Sequence, residues 1–84
     1  MPPIRYASEL IDLCLRHSSH VPQVQIDPPY RSQILLELRC IIAGAELVNY
    51  LEIEEELPRQ LCIQQRDRTL EAAARAIQVL LASQ

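Results

Sequence analysis

One long stretch, RSQILLELRCIIAGAELVNYLEIEEEL at 31–57, most constrains how this chain can fold. Its apolar residues recur at alternating spacings of four and three, which is the period of an α-helix. The first apolar stripe consists of Ile34, Leu38, Ile41, Ala45 and Val48. A second stripe, displaced around the helix, consists of Leu36, Cys40, Ala43, Leu47 and Leu51. A surface helix is not apolar over most of its circumference, so the stretch predicts a central helix that is covered from several sides.

A helix is predicted on each side of this central one. From Pro2 to near Ser18, apolar residues again follow the helical period; they are Tyr6, Leu10, Leu13 and Cys14, widened by Ala7, Ile11 and Leu15. Pro58 is expected to break or kink the chain, because proline lacks a backbone donor and clashes with the preceding turn. The last helix then has an apolar face of Ile63, Leu70, Ala73, Ala74, Ile77, Leu80 and Leu81. Its opposite face carries Asp67, Glu71 and Arg75, spaced by four.

Between the first two helices lies a proline-rich segment. Pro22, Pro28 and Pro29 forbid a regular helix there, and the absence of glycine argues against a flexible linker. We expect an ordered connector whose Val21, Val24 and Ile26 pack over the helices, with His17 and His20 mostly solvated. No strand pattern extends beyond about three residues. The predicted class is all-α: residues 1–84 form a single domain, a small three- or four-helix bundle with this connector.

Size and composition suggest that the chain associates. A chain of 84 residues buries only about two thirds or less of its unfolded surface, so its stability is marginal unless something is added. Phe and Trp are absent, which leaves an aliphatic core. Small residues cluster in the central helix around Gly44, where another helix could approach closely. That helix could belong to the same chain or to a second copy in a homodimer, and the sequence leaves both open.

Charge and residue usage exclude several classes of function. The net charge is −3 and no basic run is present, so nucleic acid is not an expected partner. A helical dimer that gathers Arg59, Arg66 and Arg68 on one face is the alternative, and the acidic balance opposes it. The absence of lysine excludes Schiff-base chemistry and the Walker-type phosphate loop. With no catalytic motif or cofactor fingerprint, we expect neither an enzyme nor a cofactor.

The surroundings of the protein are also constrained. Three cysteines make an odd count, which favours reduced thiols. The start of the chain lacks the pattern of a signal peptide. The longest charge-free apolar run, CIIAGA, is too short to cross a bilayer. We therefore expect a cytoplasmic protein with no membrane partner.

Two local patterns are candidate sites. Cys14, His17 and His20 have the spacing C-x-x-H-x-x-H, which could place two zinc ligands side by side on a helix. A closed zinc site needs four ligands and no second pair is present, so a helix end is the simpler interpretation. A metal- or redox-responsive protein that uses these residues, with Cys40 or Cys62 folded nearby, is the alternative function. The acidic run LEIEEEL is either a solvated helix face or a contact for a basic partner.

The excess of aliphatic helix surface leads to the main functional prediction. We expect a non-catalytic protein-interaction module, an adaptor or regulatory subunit. It would form a homodimer or bind a partner's amphipathic helix in a groove between the second and last helices. The residues predicted to contact the partner are Ile34, Leu38, Ile41, Gly44, Ala45, Val48, Leu51, Glu54 and Glu55.

Overall fold

Three α-helices make up almost all of the regular structure. The computed structural model describes residues 3–17, 23–50 and 52–83. Helix α1 spans Ala7–Arg16, α2 spans Pro28–Glu46 and α3 spans Glu56–Ala82, with a 3₁₀ turn at Leu47–Tyr50 directly after α2. No strand occurs in these ranges, which confirms the all-α class. Within them, too, no helix combines the length and hydropathy needed to cross a bilayer.

The first helix begins later than the sequence predicts. Residues 3–6 are not helical. Instead, the Ile4 side chain is buried in the core and its backbone N–H donates to the Gln25 carbonyl at 2.9 Å. Tyr6 occupies the N-cap position and is 52% exposed, so its assignment to the buried stripe is wrong. The buried side of α1 consists of Ala7, Leu10, Leu13 and Cys14.

The second helix ends well before the predicted Leu57. It starts with Pro28 and Pro29 in its first turn and stops at Glu46. The 3₁₀ turn follows, and residues 52–55 are not helical. Pro58 lies in the first turn of α3, where its missing N–H has no helical acceptor to lose. The prediction that Pro58 breaks the central helix is therefore wrong, because this proline belongs to the start of the next helix.

The core lies between one side of α2, α1 and the C-terminal half of α3. Ile34 and Leu38 have no accessible surface at all. The main cluster of buried residues is Ile4, Ala7, Leu10, Cys14, Ile26, Ile34, Leu38, Ala73, Ala76, Val79 and Leu80. Of the two stripes of α2, only the first contributes to this core, through Ile34, Leu38 and Ile41. Leu36 and Leu47 of the second stripe are 61% and 62% exposed, so within one chain α2 is not covered all round.

The buried face of α3 is rotated from the predicted one. Ala73 and Leu80 are buried as expected, but Ala74 and Leu81 are exposed. Their places are taken by residues that the sequence analysis missed, namely Ala72, Ala76 and Val79. The rotation arises because α3 packs against α1 as well as α2, and Ala72 lies on the α1 side beside Ile11 and Leu15.

Both ends of α1 are capped by side chains from other helices. Its own N-cap residue makes no side-chain capping bond. The Ala7 N–H donates to Oε1 of Glu37 on α2, at 2.9 Å. At the other end, Arg75 of α3 donates from Nη1 to the Cys14 carbonyl at 2.9 Å and from Nη2 to the His17 carbonyl. An acidic group at the N-terminus and a basic one at the C-terminus match the helix dipole.

The C-terminal end of α3 is also capped by an arginine side chain from another helix. Arg31, near the start of α2, donates from Nη2 to the Leu80 carbonyl at 2.5 Å and from Nη1 to Oγ of Ser83 at 3.1 Å. Ser83 itself donates to the Leu80 carbonyl at 3.0 Å. The forked guanidinium reaches two acceptors at once, which an ammonium group does not do in a fixed geometry. Arginine therefore joins helix ends that are far apart in sequence.

The segment before α2 contributes to the core. Ile26 is buried, and Val24 is half-buried against the same cluster. Val21 and His20 lie outside the described residues. His17 is half-buried and its carbonyl accepts from Arg75, so the expectation that this histidine is mostly solvated is wrong.

Candidate partner-binding groove

Helix α3 is much longer than the helix that packs along one side of it. It has 27 residues, whereas α1 has 10. All buried residues of α3 lie at Ala72 or beyond. The stretch 56–71 contains none, and at 1.5 Å per residue it is about 24 Å long. The turns of α3 before Gln65 thus lack the neighbour that α1 supplies to the rest of the helix.

A groove of about 240 Å³ runs between this half of α3 and the end of α2. It is lined by Ile41, Ala45, Val48, Cys62, Gln65, Arg66 and Thr69. The α2 side is aliphatic and half-buried. The α3 side is mixed, so a helix lying in the groove would meet apolar groups on one wall and hydrogen-bonding groups on the other.

Exposed leucines extend the apolar surface along α3. Leu61, Gln65, Arg68 and Ala72 are spaced by four, three and four, so they share one side of the helix. Ala72 is buried there against α1, but Leu61 lies beyond the reach of α1 and is 57% exposed. Leu57, one turn earlier, is exposed as well. These leucines lie where a helix continuing the line of α1 would cover them.

Two clefts between α1 and α3 adjoin the groove. One of about 290 Å³ shares Gln65 and Thr69 with it, and a second of about 190 Å³ follows toward Arg75. Arg68 lines both clefts. Each opening is smaller than the 300 to 1,000 Å³ typical of sites for small molecules. The three openings share lining residues along α3, so they follow one another along this helix.

Carboxylates occupy the segment that joins the two walls of the groove, between Val48 and Cys62. Glu52, Glu54, Glu55 and Glu56 are all exposed. Glu56 and Arg59 form an exposed ion pair at 3.6 Å. Acidic residues at the N-terminus of a helix stabilise it through the dipole, which accounts for part of this run. The remaining negative charge faces solvent next to the groove.

The predicted partner residues fall into three groups. Ile41, Ala45 and Val48 line the groove, whereas Gly44 is exposed on another side of α2 and Glu54 and Glu55 are exposed in the segment between α2 and α3. Ile34 and Leu38 are fully buried in the chain's own core and cannot contact a partner, which corrects that assignment. The error arose because the spacing of apolar residues identifies a face without showing which part of it the chain itself covers. Leu51 lies outside the described residues.

Gly44 does not mark a crossing within the chain. A Cβ atom built on it would meet nothing within 4 Å. The intrachain version of the close-approach prediction is therefore wrong. The version in which a second copy approaches this helix is untouched by that finding.

Of the residues in the metal or redox alternative, the structure describes Cys14, His17, Cys40 and Cys62, and these form no metal-ligand group among themselves. Cys14 is buried, and burial raises the pKa of its thiol, an effect that the nearby Arg75 guanidinium partly opposes. The thiolate form that binds metals is thus disfavoured. Among the described residues no three His, Cys, Asp or Glu side chains come together as metal ligands, and His20 is outside that set. Cys40 is exposed and Cys62 half-buried, both as free thiols.

Some arginines that could have faced nucleic acid are already paired with carboxylates. Arg59 lies 3.6 Å from Glu56, and Arg66 lies 3.0 Å from Asp67. Arg75, predicted on the solvated face of α3, is half-buried and holds the end of α1. Neither the hydrogen bonds of Arg75 to the end of α1 nor the exposure of Leu61 was predicted from the sequence. The length of the apolar pattern on α3 relative to that on α1 was the available signal for Leu61.

The protein is therefore an all-α protein whose last helix is only partly covered by the described part of the chain. Comparisons with protein-family models, with characterised proteins and with solved structures give no significant match to this chain. Its function has to be inferred from its own residues.

Proposed function

We propose that this protein is a non-catalytic interaction module that receives an amphipathic helix of a partner protein in the groove between α2 and α3. One observation carries the proposal. The N-terminal half of α3 contains no buried residue, although part of it faces an aliphatic wall, Ile41, Ala45 and Val48, over about two helical turns. A partner helix would supply there the packing that α1 supplies to the other half.

The exposed leucines provide the driving force. Covering a leucine side chain stabilises a complex by on the order of 1.5 to 3 kcal/mol. Leu57 and Leu61 are exposed on the side of α3 that also carries Gln65, which lines the groove. Ile41 and Val48 are already half-buried and would contribute less. Because association itself costs several kcal/mol, a contact of this size is expected to give reversible binding rather than a permanent complex.

Charge predicts the chemistry of the partner. The carboxylates at 52–56 lie at one end of the groove and are exposed. A helix with arginine or lysine at the end that meets them would be attracted, while an acidic helix would be repelled. The partner is therefore expected to be a basic amphipathic helix with apolar residues at intervals of three and four.

The remaining features agree with a binding role in a reducing compartment. The three cysteines are free thiols, which supports a cytoplasmic location. Among the described side chains no buried polar atom lacks a hydrogen-bond partner. Active sites commonly hold such unpaired buried atoms.

Titration with designed peptides tests the proposal. Two leucine-rich amphipathic peptides of four to five turns, one ending in arginines and one ending in glutamates, are added to ¹⁵N-labelled protein. The basic peptide should bind saturably and shift the amide signals of Ala45, Val48 and Leu61. The acidic peptide should bind at least several-fold more weakly.

A matched pair of variants locates the binding. Leu61→Asp should weaken binding of the basic peptide at least about tenfold. Leu81→Asp places the same charge on an equally exposed leucine of α3, far from the groove, and should leave binding unchanged. Absence of saturable binding up to about 1 mM peptide, or equal effects of the two variants, would overturn the proposal.

A further inference from the structure

The outer face of α2 is apolar although the chain does not cover it. Leu36, Cys40, Ala43 and Leu47, called here the outer stripe, are spaced by four, three and four and all four are exposed. They lie on the side of the helix opposite Ile34 and Leu38. Solvent-facing sides of helices normally carry charged and polar residues. This face is also separate from the groove, which is lined by the other side of α2.

The shape of the outer stripe suits a second helix. Its centre consists of small residues, Cys40 and Ala43, with Gly44 beside them, and its two ends are leucines. A Cβ on Gly44 would meet no other atom of the described residues within 4 Å, so these residues leave the space open. Small residues at a helix crossing allow the axes to approach to the short end of the usual 8 to 10 Å range.

The charges beside the outer stripe identify its occupant. Arg39 and Glu46 flank it on the same side, both exposed. Within the described residues neither makes an ion pair or hydrogen bond. In two antiparallel helices, residues lie opposite each other when their numbers add to a constant. If Leu36 faces Leu47 of a second copy, then Cys40 faces Ala43 and Arg39 lies close to Glu46 of that copy.

We propose that the outer stripe of α2 binds a second copy of this chain, so that the protein is an antiparallel, two-fold symmetric homodimer. Symmetry repeats every contact, giving two Arg39 to Glu46 pairs and two leucine contacts at the ends. A two-fold interface must be complementary to itself, and this arrangement meets that requirement in both shape and charge. The grooves stay open on the far sides of the two α2 helices, so the dimer does not depend on the function proposed for them.

Sedimentation velocity over a hundredfold range of concentration provides the first test. The wild-type protein should show a reversible monomer to dimer transition. Leu36→Glu should weaken the dimer at least about tenfold, because each copy loses a leucine contact and gains a buried charge. Leu81→Glu, with an equally exposed leucine away from the stripe, should leave it unchanged. A wild-type protein that stays monomeric up to about 1 mM, or a dimer indifferent to Leu36→Glu, would overturn the proposal.

Charge exchange tests the antiparallel geometry. Arg39→Glu alone and Glu46→Arg alone each place like charges together and should weaken self-association by about two- to fivefold for each of the two pairs. Mixing the two variants restores opposite charges at both pairs, so the mixture should dimerise more tightly than either variant alone. A mixture with no such gain rules out this pairing.

The reactivity of Cys40 gives a test that requires no change in the outer stripe. In a Cys62→Ser background, Cys40 is the exposed thiol because Cys14 is buried. Its rate of alkylation by a maleimide should fall as protein concentration rises through the dimer transition. A rate that stays constant across that transition would place the interface elsewhere. Peptide binding by Leu36→Glu, measured separately, reports on the groove alone.

Discussion

Arg75 is expected to contribute more to stability than any other charged residue of α3. Its guanidinium donates to the carbonyls of Cys14 and His17, at the C-terminal end of α1. Hydrogen bonds from a charged donor contribute about 1.5 to 3 kcal/mol each. Because both Arg75 and His17 are only half-buried, water replaces part of what is lost. We expect Arg75→Met, which keeps the aliphatic stem, to lower the free energy of unfolding by about 2 to 3 kcal/mol.

Urea denaturation followed by circular dichroism measures this change. A chain of this length has a total stability of about 4 to 13 kcal/mol, so the midpoint should shift clearly. Arg68→Met is the matched control, since Arg68 is one of the exposed arginines of the same helix and donates no hydrogen bond to another described residue. It should change stability by less than about 0.5 kcal/mol. Equal effects of the two variants would refute the claim that Arg75 holds α1 in place.

Four further predictions concern residues of α1 and α2. Leu38→Ala should cost about 2 to 5 kcal/mol on chemical denaturation of the monomer, while Leu36→Ala should cost less than about 0.5, because only Leu38 is buried. Gly44→Ala should raise the free energy of unfolding by up to about 1 kcal/mol, and a loss of stability would show that its Cβ meets something after all. Burial raises the pKa of the Cys14 thiol, so folding favours the protonated form. The contribution of this thiol to the free energy of unfolding should be intact below the ordinary thiol pKa and should decline as the pH rises above it. Cys14→Ala should remove this decline at alkaline pH. If wild type and Cys14→Ala show the same dependence of stability on pH, the reasoning is wrong. In native protein, Cys40 should be alkylated long before Cys14.

The helices themselves could be predicted from the sequence because their signal is local. The spacing of Leu10, Leu13 and Cys14, and that of Ile34 and Leu38, identifies buried helical faces, and all five residues are buried. The all-α class follows from these patterns. The sequence also predicts the apolar outer stripe, but it does not predict that the stripe is exposed. The spacing of apolar residues does not show how many neighbouring helices cover a helix.

The boundary between α2 and α3 could have been predicted better. The sequence prediction treats Pro58 as a helix breaker, although proline is also common in the first turn of a helix. The glutamates at 52–56 favour a helix N-terminus through the dipole, and together with Pro58 they indicate a start at Glu56. The apolar spacing nevertheless continues through Leu51 into this segment, and this spacing predicts a central helix that extends to Leu57.

The hydrogen bonds by which Glu37 and Arg75 cap the ends of α1 could not have been predicted from the sequence. Glu37 caps a backbone N–H 30 residues away, and Arg75 reaches a carbonyl 61 residues away. Nothing local distinguishes these residues from solvated charges on the same helices. Such contacts follow only once the helices are placed, and for the same reason the groove and its uncovered leucines became visible only in the folded chain.

The dependence of α1 on its neighbours has a consequence for how the protein opens. An isolated helix of ten residues is marginal in water, and the most extensive helix contact in this fold is between α2 and α3. Helix α1 should therefore unfold locally as one cooperative unit, and its amides should exchange with solvent deuterium faster than those in the middle of α2. Release of α1 would bare Ala72 and Ala76. The uncovered surface of α3 would then lengthen from half of the helix to nearly all of it, so under the proposed function the chain would bind a short helix while closed and a longer one while α1 is released.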